Sequence, residues 1–210
     1  DERPDVIREA LAGIRRLGGE EQIPALEKLR RHPDLAIVAE AVQSEVEVGG
    51  FDGILATAEM LKAWSKSDDP RELEPLASIL GRLKIKSFLP ILLQLSKHKN
   101  RKVASAAILA LTEFKDDRVM PTLVEELRDD ILFPQIQHYF ASLGKPHRAA
   151  ILALYQNETH RLRVKRRFLE AIARTTKWDT SELLNAEMHS EDPVIRFLCM
   201  KYLSQKKKAA

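Results

Sequence analysis

A leucine stands twenty residues into each of six consecutive stretches of this chain: Leu26, Leu55, Leu92, Leu123, Leu152 and Leu184. The stretches are counted from Val6, Leu35, Glu72, Val103, Leu132 and Val164, and Ile195 opens a seventh. Successive starts are 29, 37, 31, 29, 32 and 31 residues apart. Four residues after each start come Ala10, Ala39, Leu76, Ala107, Ile136, Phe168 and Cys199. Four more give Ile14, Gln43, Leu80, Leu111, Phe140, Ile172 and Leu203. Apolar residues three or four apart mark one face of a helix. A period near thirty residues is too short for a domain and fits a helical hairpin that buries its apolar stripe only against its neighbours.

The stretch from Asn100 to Asp130 shows the unit most clearly. Val103, Ala107, Leu111 and Phe114 form one helical face, Asp116 and Asp117 interrupt it, and Val119, Met120, Leu123, Val124 and Leu127 form a second. Pro121 opens the second helix, where a missing amide hydrogen costs little, and Pro24 and Pro90 fall at the same place in their units. The repeats are expected at about 4–31, 33–66, 70–99, 100–130, 131–157 and 160–190, with a partial one at 191–205, in a single array over 1–210. Glu72 and Gln43 sit where other units are apolar, beside the longest step. A one-residue slip of register and an enlarged loop over Lys66–Pro70 are expected there. The last unit has one helix followed by Gln205, Lys206, Lys207 and Lys208, as a terminal cap or a truncated array would.

Asn100-Arg101-Lys102-Val103-Ala104-Ser105-Ala106-Ala107-Ile108-Leu109-Ala110-Leu111, followed by Asp117-Arg118-Val119-Met120-Pro121-Thr122-Leu123, resembles a HEAT repeat of the short bacterial type, which also occurs in phycobilisome-lyase proteins. Asp192-Pro193-Val194-Ile195-Arg196 resembles the start of another. The resemblance implies an all-α, right-handed solenoid of about six to seven hairpins, with second helices on the concave side. It implies interaction work but fixes no function.

Composition bounds the rest. Apolar residues are 44% and charged residues 31% of the chain, enough for a core and unlike a disordered sequence. The 34 Lys and Arg exceed the 31 Asp and Glu by only +3, so any anionic partner must be met by local clustering. Cys199 is the one cysteine, which excludes an internal disulfide and a multi-cysteine zinc site; a reducing, cytoplasmic setting fits. No apolar run approaches the ~20 residues that span a bilayer. The chain opens on Asp1 rather than Met and reads as an excised or processed piece.

Few side chains suggest chemistry. His32, His98, His138, His147, His160 and His189 form no pair at three or four residues and no HExxH, so neither metal nor cofactor is expected. The acidic pairs Asp68-Asp69, Asp116-Asp117 and Asp129-Asp130 fall at turns, where aspartate caps helices. Gly49-Gly50-Phe51-Asp52-Gly53 reads as a turn, not a phosphate loop, and Cys199 as a core residue. Trp64, Trp178, Tyr139, Tyr155 and Tyr202 read as packing residues before binding ones.

The densest cluster runs from His160 to Lys177, with Arg161, Arg163, Lys165, Arg166, Arg167, Arg174 and Lys177 against Glu170 alone. Turning Val164, Phe168 and Ile172 inward places Arg163, Arg166, Arg167, Arg174 and Lys177 on the outer face. That stripe either meets an anionic partner or is a solvated face partly paired with acids on adjacent repeats. The expected function is a non-catalytic protein–protein interaction scaffold or adaptor. The alternative is nucleic-acid binding by the basic face, resembling HEAT-like DNA glycosylases, although no aromatics interleave the exposed positions. A chromophore lyase is the third reading.

Overall fold

A computed structural model describes residues 3–158 and 161–209. Its described residues form twelve α-helices and no strand. They fall into two compact units, Asp1–Ala107 and Ile108–Ala210.

The first unit contains α1 (Pro4–Leu17), α2 (Ile23–Leu29), α3 (Leu35–Trp64), α4 (Pro70–Leu83) and α5 (Leu89–Leu95), and ends within α6 (Arg101–Leu111). Leu11, Leu26 and Ala41 form a fully buried cluster, flanked by Ile7, Ile14 and Leu29. Asp69 caps its helix as the sequence suggests, accepting from the Arg71 amide at 2.9 Å, and Asp34 likewise accepts from that of Ala36 at 2.9 Å. The loop between α3 and α4 covers 65–69, where an enlarged connection is expected.

Helix α3 is two helices joined at Gly50, whose φ of 54° and ψ of −123° suit glycine alone. The chain doubles back so closely that a Cβ on Gly53 would lie 2.1 Å from the Glu45 carbonyl oxygen. This corrects one rung of the leucine ladder. Gly53, Thr57, Leu61 and Trp64 face inward, and Leu55, two residues or about 200° further round the helix, is 66% exposed. Three smaller slips accompany it. Leu11 is buried in place of the exposed Ala10, Leu73 in place of Glu72, and Ile151 and Tyr155 in place of the half-buried Leu152. Leu26, Leu92, Leu123 and Leu184 are fully buried.

The tight hairpin closes over a charge. The Glu45 side chain is inaccessible to solvent, and neither of its oxygens has a hydrogen-bond partner. Arg30 brings its Nε to 3.3 Å of Glu45 Oε2 while donating through Nη1 to the Ala56 carbonyl at 2.7 Å, so it bridges both halves of α3. Burial raises the Glu45 pKa above its ordinary 4.5, against an opposing pull from Arg30. A carboxyl raised in the folded state binds protons more readily there than when unfolded. Stability is therefore lost as pH rises from 4.5 through the folded pKa. Glu45→Gln should unfold at a higher urea midpoint than wild type at neutral pH, the gain shrinking as acid protonates the wild-type carboxyl. A lower midpoint for the variant at neutral pH would mean that the Arg30 pairing outweighs desolvation.

The second unit contains α7 (Met120–Glu126), α8 (Phe133–Ser142), α9 (Arg148–Asn157), α10 (Leu162–Ala173), α11 (Ser181–Glu187) and α12 (Pro193–Ala209). Short 3₁₀ turns at Asp117–Val119 and Lys145–His147 lead into α7 and α9. Its core is aromatic. Phe168 on α10 lies 4.8 Å from Phe140 and 5.9 Å from Tyr155, and Phe140 lies 5.2 Å from Tyr139, centroid to centroid.

Candidate functional site

Helix α10 presents the basic stripe. Val164, Phe168 and Ile172 are buried, as their spacing requires, so the cations turn outward. The structure then divides them into two groups.

The first group is held by neighbouring acids. Arg163 and Arg167, one turn apart, both reach Asp130, Arg163 through Nη2 at 3.0 Å. Arg167 also donates to the Leu127 carbonyl at 2.9 Å and lies over the Phe133 ring, 4.6 Å from its centroid. Together Arg167 and Arg163 pull the Asp130 pKa below its ordinary value. Arg166 Nε donates to Asp192 Oδ2 at 2.7 Å, and Asp192 in turn caps α12 through the Val194 amide at 2.8 Å. Lys165 pairs with Glu187 at 3.1 Å, and Arg161 with Glu158. His160 lies outside the described residues.

The second group lines a groove. Arg174 and Lys177, at the turn after α10, border an open cavity of about 1050 Å³ together with Lys145 and, from α12, Lys206. These cations surround a floor that includes the buried Ala173 and Tyr202. Arg174 hydrogen-bonds the carboxamide oxygen of Gln137, a neutral partner. Among the described residues no carboxylate pairs with Lys145, Arg174 or Lys177. Asp179 is the acid in the groove. The hydroxyl and amide of Ser181 hold its pKa down at about 2, and Lys206 stands 3.4 Å away. Burial and Glu170 raise the Tyr202 pKa, against Arg174.

Trp178 forms the wall. It is 5% exposed, and its indole Nε1–H is buried with no acceptor. Beyond it a second lobe of about 530 Å³ shares Lys145, Trp178 and Asp179 and adds Arg148 and Glu182, which pair at 3.0 Å. Arg148 sits 5.9 Å from the centre of the Trp178 ring.

The remaining polar residues do structural work. Asp116 accepts from the Arg118 amide at 3.1 Å and Asp129 from that of Ile131 at 2.8 Å, while Asp117 faces His147 Nδ1 at 2.6 Å. His32 and His98 accept through Nδ1 from the amides of Asp34 and Asn100 at 3.0 and 3.1 Å. Cys199 is buried, which pushes its thiol up to about 11. Trp64, Tyr139 and Tyr155 are core residues. Among the described residues no three His, Cys, Asp or Glu side chains gather as metal ligands would, and no helix is long and apolar enough to cross a membrane.

Lys145 and Lys206 were not distinguishable in the sequence, because they enter the groove from separate elements. Glu45 had a visible signal: it lies three and seven residues after Val42 and Val38 on an otherwise apolar face.

Tandem helical hairpins without strands define a helical-repeat protein. Residues 57–132 match the family model described as HEAT repeats, and that stretch is HEAT-like. Such repeats commonly serve as protein-interaction scaffolds and are generally not enzymes. No curated protein matches the chain. Among solved structures, a de novo designed 16-helix transmembrane nanopore aligns at 19% identity over 98% of this chain and 66% of its own, with a TM-score of 0.17. That score carries no argument about this chain.

Proposed function

We propose that the chain is a non-catalytic interaction module that docks an acidic segment of a partner protein in the groove of its second unit. The observation that carries the reading is the set of three cations, Lys145, Arg174 and Lys177, without carboxylate partners among the described residues and beside a partly apolar floor. A surface whose cations are already neutralised gains little from an anion, whereas unpaired cations gain both attraction and orientation. A nucleic-acid backbone would call on the whole stripe, yet Arg163, Arg166 and Arg167 are engaged by Asp130 and Asp192. That pairing favours the protein partner.

Fluorescence anisotropy of labelled polyglutamate against a single-stranded oligonucleotide of equal charge tests the choice. Polyglutamate should bind more tightly than the oligonucleotide and weaken as salt rises. Preference for the oligonucleotide, or no binding of either, would overturn the reading.

A further inference from the structure

The two lobes differ in charge, and that difference describes an occupant. The larger lobe has Lys145, Arg174, Lys177 and Lys206 against Asp179, an excess of positive charge. The smaller has Lys145 and Arg148 against Asp179 and Glu182, which balance. Trp178 lines both, so a ligand filling the two must pass it. Its floor is apolar enough to want a side chain: Ala173, Tyr202 and Leu203 line the larger lobe.

Resting on the acidic-partner reading above, we infer that the occupant is an extended peptide in which acidic residues alternate with apolar ones. Its carboxylates meet Arg174 and Lys177, and an apolar side chain covers Tyr202 and Leu203. The peptide's uncharged continuation enters the balanced lobe beside Arg148. Extended backbone suits this, because it sends alternate side chains to opposite sides, one toward the floor and the next toward the cations.

The test compares two short fluorescein-labelled peptides of equal charge, one alternating glutamate with leucine and the other glutamate with serine. Seating a leucine should tighten binding by about tenfold. Equal affinity for the two peptides, with binding lost in Arg174→Ala/Lys177→Ala, would overturn this inference and leave acidic docking standing. Failure of both peptides to bind would remove the acidic-partner reading itself, as would tighter binding of the oligonucleotide.

Discussion

Gly53→Ala should destabilise the first unit by about 3 kcal/mol or more, at the upper end of what overpacking costs. The added methyl would sit 2.1 Å from the Glu45 carbonyl oxygen and 3.1 Å from the Val46 Cα. Both obstacles are backbone, so no rotamer change relieves the clash and the two halves of α3 must part. Parting them also separates Arg30 from its ion-pair partner Glu45 or from its acceptor, the Ala56 carbonyl. The roughly 1 kcal/mol that alanine gains over glycine in a helix is too small to compensate. Gly13→Ala is the control, since it lies inside α1 with nothing within 4 Å of the new methyl, and it should be neutral or stabilising. Urea denaturation in a Trp178→Phe background, where emission comes from Trp64 alone, reads the effect directly. A wild-type midpoint for Gly53→Ala would mean that the hairpin at Gly50 is looser than described.

Phe168→Ala should cost the second unit about 3–5 kcal/mol, a large part of the 5–15 kcal/mol by which domains are stable. Phe168 is fully buried and touches rings from two other helices, Phe140 on α8 and Tyr155 on α9. Removing it leaves a cavity that three different elements would have to collapse to fill. The same helix carries Arg163, Arg166 and Arg167, so their reach to Asp130 and Asp192 should loosen with it. A Trp64→Phe background isolates the emission of Trp178 for the measurement. A loss below about 1 kcal/mol would show that the aromatic cluster is not the core of this unit.

Much of this architecture is legible before any coordinates. Leu26, Leu92, Leu123 and Leu184 occupy one position of the repeat and all are fully buried. Leu55 fails because Gly53 must face inward to let two backbones touch, a requirement set by tertiary approach and invisible to periodicity. The outward face of α10 is likewise readable from Val164, Phe168 and Ile172. Spacing along a helix says which way a cation points, but not which turn some thirty residues away presents a carboxylate to it. Asp130 and Asp192 therefore divide a stripe that looks uniform in sequence. The groove is less legible still, since Lys145, Arg174, Trp178 and Lys206 converge only through the stacking of α9 to α12.

Two double variants that each remove two positive charges put that division to the test. Arg163→Ala/Arg167→Ala strips cations engaged by Asp130, whereas Arg174→Ala/Lys177→Ala strips those bordering the groove. Anisotropy titration of labelled polyglutamate should show the second pair binding at least about tenfold more weakly than wild type. The first pair should keep wild-type affinity and instead unfold at a lower urea midpoint. Equal weakening by both pairs would reduce the interaction to net charge and contradict a groove-specific site.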